Sequence, residues 1–348
     1  MKVVIAGFPR AGKTTVFQSL TGLADTTSAR GAASRGLIRV PDERVDHLSG
    51  IYSPKKTTYA TITFVDVQPE GGAEEKTTVL SPALTAELRD ADLIVAVVRG
   101  FPDPFGGDAA EPEREFERFE EELVLSDLAV LDRRLERLRK EGNKGREVQL
   151  LPPLVDWLGE GKPLRTMSVA PEDVKVLSGY QLVSRRPLLV VLNRPDEDAA
   201  SALPEGLTRR VHEHGGELLA MAGRLEREIA ELPPEEQAPF LRDAGLEASA
   251  RDRFVQTAYR LLDLVSFLTS GEDECRAWTI TRGTSAQRAA GKIHSDIEKG
   301  FIRAEVIGWE DFVRYGGEVE CKKAGRSRLE GKEYVVQDGD VIHFRFNV

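Results

Sequence analysis

A short run near the N-terminus carries the residues of a phosphate-binding loop. From Gly7 to Thr14 the chain reads G-F-P-R-A-G-K-T, which fills every fixed position of the pattern G-x-x-x-x-G-K-[ST]. The glycines let backbone N–H groups point inward at phosphate oxygens, and the N-terminus of a following helix adds partial positive charge. In such a loop Lys13 reaches the β- and γ-phosphates, and the Thr14 hydroxyl binds Mg²⁺. The residues predicted to bind the phosphates are Gly7, Phe8, Pro9, Arg10, Ala11, Gly12, Lys13, Thr14 and Thr15.

Apolar segments on both sides of this loop predict the elements that must hold it. Residues 3–6 are an apolar, β-branched run typical of a buried strand, and residues 15–20 are typical of the first turns of a helix. Similar runs predict further buried strands at residues 61–65, 93–98 and 188–192. Helical or irregular stretches separate these strands. This is the pattern of a doubly wound, mostly parallel α/β sheet that binds phosphate at the carboxyl ends of its strands.

The long stretch between the last two of these strands has a helical spacing of apolar residues. Apolar residues recur three and four positions apart over residues 124–138 and again over residues 148–158, with a G-N-K-G break between them. This spacing predicts two antiparallel helices that form a hairpin inserted into the sheet domain. Basic residues at the tip of the hairpin fit contact with RNA or a partner and, more often in proteins, a solvated helix end.

The C-terminal region changes to short strands and turns. Residues 248–268 predict a helix, and strands are predicted at residues 276–281, 302–307 and 341–346. With one helix between the first two strands, this region predicts a small α+β domain of the β-grasp type. We therefore predict four segments: the first part of a phosphate-loop domain at 1–110, an inserted helical arm at 111–180, the second part of the phosphate-loop domain at 181–270, and the β-grasp domain at 275–348.

Composition narrows the class of protein. The net charge of −10 argues against indiscriminate binding to nucleic acid, although it is compatible with a local basic patch. Cys275 and Cys321 lack metal-type spacing and predict free thiols in a reducing compartment. The longest apolar runs are too short to span a bilayer, and the phosphate loop lies too close to Met1 for a signal peptide to precede it. We expect a cytoplasmic, monomeric protein with no membrane partner.

Two later segments complete the pattern of a purine nucleotide site. Asp66 ends an apolar run at a distance suited to reach Mg²⁺ through water, so Thr14 and Asp66 are the predicted metal ligands. The tetrapeptide N-R-P-D follows another buried strand; in it Asp196 can accept hydrogen bonds from guanine N1 and N2, and Asn193 can contact N7. A third segment, A-G-R at residues 222–224, either contacts the purine or simply begins an acidic helix. The residues predicted to bind the base are Asn193, Arg194, Asp196, Ala222, Gly223 and Arg224.

The C-terminal stretches carry a specific family resemblance. They read R-A-W-T-I at 276–280, H-S-D-I-E-K-G-F-I-R-A-E-V at 294–306 and V-Q-D-G-D-V-I-H-F-R-F at 336–346. With the phosphate loop and the helical hairpin, they make the chain resemble the YchF family of Obg-like ATPases from end to end. The resemblance implies a P-loop domain, an inserted helical arm and a C-terminal TGS domain. It also implies a nucleoside triphosphatase that prefers ATP and associates with ribosomes or translation factors through the TGS domain and the arm.

The chain departs from this family where the γ-phosphate is sensed. Pro69 stands where the family has the glycine of Asp-x-x-Gly, and proline has no N–H to donate. The segment after it, residues 70–75, is short and acidic, and residues 28–33 offer no hydroxyl where the family has a threonine. The family's ATP preference goes with glutamate at the position of Asp196. The residues therefore favour guanine, whereas the resemblance favours adenine.

Two functions fit these observations. The first is a switch that binds ATP or GTP with Mg²⁺, hydrolyses it slowly and couples nucleotide state to docking on the ribosome or a translation factor. The alternative is a hydrolysis-deficient nucleotide-binding protein or a scaffold with a vestigial site. Pro69 and the altered segments favour the alternative, whereas the intact phosphate loop argues against total loss of binding. No catalytic residue is predicted, and the absence of an arginine-rich lid segment disfavours a phosphate-loop kinase.

Overall fold

The computed structural model describes residues 1–23, 33–67, 79–103 and 109–347. Pro69, residues 70–75 and residues 28–32 lie outside the described residues. The strands are β1 (Lys2–Ala6), β2 (Ala33–Arg39), β3 (Lys56–Thr58), β4 (Thr61–Val67), β5 (Leu93–Arg99), β6 (Leu188–Asn193), β7 (Glu217–Met221), β8 (Leu264–Thr269), β9 (Glu274–Thr281), β10 (Phe301–Ile307), β11 (Arg328–Glu330) and β12 (Val341–Phe346). The α-helices are α1 (Lys13–Thr21), α2 (Glu43–Tyr52), α3 (Pro82–Arg89), α4 (Pro112–Lys140), α5 (Arg146–Gly159), α6 (Pro171–Ser178), α7 (Glu205–Glu213), α8 (Gly223–Glu231), α9 (Pro234–Asp243), α10 (Ala250–Leu261), α11 (Ala286–Ile293), α12 (Ser295–Lys299), α13 (Trp309–Tyr315) and α14 (Glu318–Lys323).

The larger of two structural units contains the sheet that carries the phosphate loop. This unit comprises Met1–Ile38 and Thr63–Ala258, and its six strands lie in the order β2-β4-β1-β5-β6-β7. β1 pairs in parallel with β4 and β5, β5 with β6, and β6 with β7. Parallel pairing brings the carboxyl ends of these strands to one edge, where a doubly wound sheet binds its ligand. The predicted doubly wound, mostly parallel sheet is confirmed.

The predicted helical hairpin is also present in the larger unit. Helix α4 packs against α5, and the apolar residues with heptad spacing form one buried cluster between them. The fully buried members include Leu131 and Leu138 on α4 and Leu151 and Leu158 on α5. The hairpin therefore has its own core.

The smaller unit comprises Arg39–Ile62 and Tyr259–Val348. Its sheet has the strand order β11-β10-β12-β8-β9-β3, in which β10 is antiparallel to β11 and β12, and β8 is antiparallel to β9. One apolar cluster joins the sheet to α11, and another joins it to α2 and α13. The unit thus has the predicted α+β character, and residues 39–62 contribute a helix and an edge strand to it.

One predicted helix is wrong. Residues 248–268 form helix α10 only as far as Leu261, and strand β8 then begins at Leu264. Asp263, with a φ of 49°, reverses the chain between them. Val265 and Phe267 pack into one cluster, which gives β8 the alternation of a strand, and its pairing with β9 outweighs the local helical spacing.

The boundaries of the four predicted segments stay a prediction. The two units divide the chain differently in two places, because residues 39–62 and residues 259–270 fold with the C-terminal strands. Within the described part of the chain, no helix combines the length and the apolar character needed to cross a membrane.

Candidate nucleotide-binding site

Two glycines shape the loop between β1 and α1. Gly7 has a φ of 140°, and a Cβ added there would lie 2.3 Å from the carbonyl oxygen of Val97. Gly12 has a φ of 86°, and a Cβ there would lie 2.1 Å from Nδ2 of Asn193. Both positions therefore exclude a side chain by conformation and by space. The loop backbone therefore packs closely against β5 and against the Asn193 side chain of β6.

The Lys13 ammonium lies inside the curve of the loop. Its Nζ donates hydrogen bonds to the carbonyl oxygens of Gly7, at 2.9 Å, and Phe8, at 2.8 Å. Burial lowers the pKa of Lys13, while the nearby carboxylates of Asp66 and Glu115 act in the opposite direction. A positive charge is thus held in a partly desolvated position, where an anionic ligand would interact with it strongly.

The two predicted metal ligands lie next to each other. The Thr14 hydroxyl donates to Oδ2 of Asp66 at 3.2 Å, and Asp66 is only 1% exposed near the end of β4. Register places Asp66 beside Ile5 of β1, so the sheet itself fixes the carboxylate at the loop. A hydroxyl and a carboxylate are oxygen ligands of the kind Mg²⁺ prefers, and they leave room for water and phosphate oxygens. The pair fits a magnesium ion.

Asn193 braces the loop from the end of β6. Its Nδ2 donates to the carbonyl oxygen of Ala11 at 2.9 Å, and its Oδ1 accepts from the N–H of Gly223 at 3.2 Å. The side chain is buried and connects the phosphate loop to the first residue of α8. Contact of Asn193 with purine N7 stays a prediction, and the structure adds the two backbone partners that the sequence did not indicate.

The Asp196 carboxylate is engaged with the start of α8. Its Oδ1 accepts from the N–H of Leu225 at 3.2 Å, and its Oδ2 lies 3.4 Å from Nε of Arg224. Asp196 therefore serves the free N–H groups of the first helical turn.

Arg194 turns away from these groups. Its guanidinium donates to the carbonyl oxygens of Ala199, at 2.7 Å, and Ser201, at 2.6 Å. Burial lowers its pKa. The structure thus brings Asn193, Asp196, Gly223 and Arg224 together, whereas the Arg194 side chain binds the turn after β6.

Charged residues after β5 were missed by the sequence reasoning. Arg10 has a φ of 67°, and its Nη1 lies 2.9 Å from Oδ2 of Asp103. The same carboxylate oxygen lies 3.6 Å from Nη1 of Arg99. Glu115, in the first turn of α4, accepts from the N–H of Arg99 and pairs with its Nε at 3.3 Å. The position of Arg99 as the last residue of a buried parallel strand, at the edge where Asp66 also lies, is the signal that could have found this group.

Comparisons with known proteins agree with this architecture. The family model YchF-GTPase_C, described as "Protein of unknown function (DUF933)", matches residues 264–347. The chain is 36% identical to the ribosome-binding ATPase YchF of Bacillus subtilis over 99% of this chain and 98% of that relative. It is 33% identical to the ribosome-binding ATPase YchF of Escherichia coli O157:H7 over 100% of this chain and 99% of that relative.

A solved structure of the Schizosaccharomyces pombe YchF GTPase has the same fold. It covers 99% of this chain and 97% of its own, with a TM-score of 0.85 and 28% identity. The predicted resemblance and the predicted fold class, a P-loop α/β sheet with an inserted helical hairpin and a C-terminal β-grasp domain, are both confirmed.

Proposed function

This chain belongs to the YchF family, and we propose that it binds a purine nucleoside triphosphate with Mg²⁺ at the loop of residues 7–15. The observation that carries the proposal is the placement of Lys13 within 2.9 Å of the loop carbonyls of Gly7 and Phe8. Phosphate oxygens would meet this ammonium, the loop N–H groups and the N-terminus of α1. Thr14 and Asp66 would hold the magnesium ion, which neutralises phosphate charge when bound.

We propose adenine as the base. Guanine offers N1–H and N2–H donors that need a carboxylate with free acceptor capacity. The Asp196 carboxylate accepts from the Leu225 N–H and lies beside Arg224, so part of its acceptor capacity is already used within α8. The bacterial relatives are named ATPases, whereas the Schizosaccharomyces pombe structure is named a GTPase. The engagement of Asp196 with α8 and the names of the bacterial relatives support the proposal of adenine.

Hydrolysis is proposed to be slow in the isolated protein. The loop, Lys13 and the magnesium ligands can position and neutralise a triphosphate, which supplies the electrostatic part of phosphoryl transfer. Pro69 removes one N–H donor that the family uses at the γ-phosphate. The same substitution supports the second candidate, a protein that binds nucleotide without turnover. Measurement of phosphate release in single and multiple turnover separates the two.

Docking on the ribosome is the second part of the proposal. The bacterial relatives are named ribosome-binding proteins. In the smaller unit Arg303 and Arg345 lie opposite each other on β10 and β12, and both are exposed. Lys322 adds a third cation, and Glu305 pairs with Arg345 and Lys322. Like charges directly opposite each other destabilise a sheet, and they suit a polyanion such as ribosomal RNA. The tip of the helical arm, with Arg139 and Lys144 exposed, is the second proposed contact.

Chain connectivity supports coupling between the nucleotide site and the docking unit. Residues 39–62 belong to the smaller unit, and they lie in sequence between β2 and β4 of the larger unit's sheet. Strand β4 carries Asp66 only a few residues after it leaves the smaller unit. A change at the magnesium site therefore has a direct covalent route to the docking unit.

Co-sedimentation with ribosomes in ATP, in ADP and without nucleotide tests the docking proposal. We expect binding that depends on the nucleotide and weakens when Arg303 and Arg345 are both replaced by glutamine. Arg35→Gln, which removes an exposed arginine of the larger unit paired with Glu87, is the control. Equal sedimentation in all three nucleotide states would contradict coupling, and an unchanged double variant would contradict the proposed surface.

A further inference from the structure

Arg10 occupies an unusual place in the phosphate loop. Its φ of 67° lies in the left-handed region, which arginine adopts rarely because its Cβ is crowded there. Strained residues of this kind cluster at functional sites. The conformation sends a half-exposed guanidinium out of the loop to Asp103, which follows β5. The permanently charged guanidinium of Arg10 thus belongs to a loop residue and is paired with the carboxylate of Asp103.

Asp103, the ion-pair partner of Arg10, also lies beside a second arginine, Arg99. Oδ2 of Asp103 lies 2.9 Å from Nη1 of Arg10 and 3.6 Å from Nη1 of Arg99. Nη1 of Arg99 is buried and has no hydrogen-bond partner in the described part of the chain. Glu115 holds the rest of the Arg99 guanidinium in place. If Arg10 leaves, the Asp103 carboxylate keeps a cation beside it, and the unsatisfied donor of Arg99 gains an acceptor.

We propose that Arg10 exchanges Asp103 for the polyphosphate of the bound nucleotide, while Arg99 takes over Asp103. The inference rests on the proposed function, because it needs a nucleotide in the loop. A guanidinium binds phosphate and carboxylate through the same forked geometry, so the exchange replaces one anion with another. Arg10 is 46% exposed on its side chain, so its present ion pair is weak and a multiply charged phosphate outcompetes it.

The exchange also supplies a hydrogen-bond donor to the phosphates of a chain that lacks one of the family's donors. Pro69 lacks the N–H that the family presents to the γ-phosphate. Arginine keeps its proton at all pH values of interest, and its fork binds two phosphate oxygens at once. Arg10 thus supplies a second cation that is always charged, from within the loop itself.

A double-mutant cycle of Arg10→Asn and Asp103→Asn, read by calorimetric titration with Mg²⁺-ATP, tests the exchange. Asparagine tolerates the left-handed conformation, so the loop backbone is kept. We expect Arg10→Asn to weaken ATP binding about tenfold, the size of one charge-assisted hydrogen bond. We expect Asp103→Asn to strengthen it about two- to fivefold, because no ion pair has to be broken. In the Arg10→Asn background, Asp103→Asn should change nothing.

Controls separate this inference from its premise. Arg137→Asn removes an exposed arginine paired with Glu141 on the distant part of α4, and it should leave ATP affinity unchanged. If Arg10 has only a structural role, Arg10→Asn should lower the unfolding temperature and keep ATP affinity within twofold of the parent. That result would overturn the exchange. An equal effect of Asp103→Asn in both backgrounds would overturn it as well. If the parent protein itself binds no nucleotide, the proposed function fails and the exchange fails with it.

Discussion

The proposed nucleotide site has a phosphate end, formed by residues 7–15 and Asp66, and a base end, formed by residues 193–196 and 222–224. Both ends lie at the same edge of one sheet and are built in different ways. At the phosphate end, Asp66 is buried and bonded to Thr14, and the half-buried Lys13 donates to the loop carbonyls. At the base end, the polar groups of Asn193 and Asp196 are bonded to backbone groups of the protein.

This difference separates affinity from selectivity. A preorganised cluster of a cation and oxygen ligands recognises any nucleoside triphosphate with Mg²⁺. Base selectivity depends on which acceptors and donors at the base end remain available to the purine, and the use of Asp196 by α8 disfavours guanine. We therefore expect substitutions at the phosphate end to change the affinity for all nucleotides, and those at the base end to act mainly on the stability of α8 and of the loop.

Lys13→Ala should have the largest effect. Removal of the ammonium deletes the half-buried cation that donates to the loop carbonyls, and ATP affinity should fall at least about a hundredfold. Calorimetry measures the affinity, and circular dichroism confirms that the fold is kept. Binding of ATP at near-parental affinity would show that the loop is not the phosphate site.

Gly12→Ala tests the contact between the two ends. A Cβ at Gly12 would lie 2.1 Å from Nδ2 of Asn193, at a φ of 86°, so the loop or Asn193 must move. ATP affinity should fall about tenfold or more, with a lower unfolding temperature. Gly142→Ala is the matched control, because Gly142 also has a positive φ, 64°, but nothing lies within 4 Å of its Cβ. Equal losses in both variants would mean that strain alone, and not the contact, matters.

Asn193→Ala tests whether this side chain supports the loop and α8 or recognises the base. Loss of its side chain leaves the Ala11 carbonyl and the Gly223 N–H without their partner, which should cost about 1–3 kcal/mol of unfolding free energy. We expect ATP and GTP affinities to fall by a similar, severalfold factor. Denaturant unfolding and paired titrations check both parts. Selective loss of one nucleotide would instead make Asn193 a base reader.

The affinity for ATP should depend on pH through Lys13. Burial places the pKa of Lys13 below its ordinary value of 10.5, so the free protein loses this charge at a lower pH than an exposed lysine would. Raising the pH from about 7 to about 10 should therefore weaken ATP binding severalfold. Titrations with ATP across this range, with Lys13→Arg as the non-titrating control, measure it; ATP is the probe because guanine itself loses its N1 proton in this range. A flat ATP affinity would contradict a titrating Lys13 at the phosphate site.

Asp196→Ala should have the smallest effect on ATP. The carboxylate bonds the N–H of Leu225 in the first turn of α8, so its removal should cost about 0.5–2 kcal/mol of stability. ATP affinity should stay within about threefold, since adenine does not need the carboxylate. Thermal unfolding and titration report the two quantities. A large loss confined to GTP would restore Asp196 as a guanine reader.

Local patterns predicted the parts of the molecule that depend on neighbours in sequence. The strand before Gly7, the loop and the helix after it follow from a motif in which Gly7 and Gly12 adopt positive φ angles. The buried strand ending at Asn193 follows from an unbroken apolar run. The seams of the helical hairpin follow from heptad spacing.

What the sequence did not predict depends on partners far along the chain. Asp103 meets Arg10 across 93 residues, and Asn193 meets Ala11 across 182, so no spacing rule indicates either contact. Strand β8 was predicted as helix because its strand character comes from pairing with β9. Residues 39–62 fold with the C-terminal strands through the pairing of β3 with β9, which is equally non-local.

The most direct test of this account is a parallel titration of nucleotide-stripped protein with ATP and with GTP in Mg²⁺, using Lys13→Ala as the control. The account predicts that ATP binds, that GTP binds at least about tenfold more weakly, and that Lys13→Ala binds neither. Tighter binding of GTP than of ATP would contradict the proposal that the Asp196 carboxylate is used by α8 and not by the base. Absence of binding by both nucleotides would contradict the phosphate site itself.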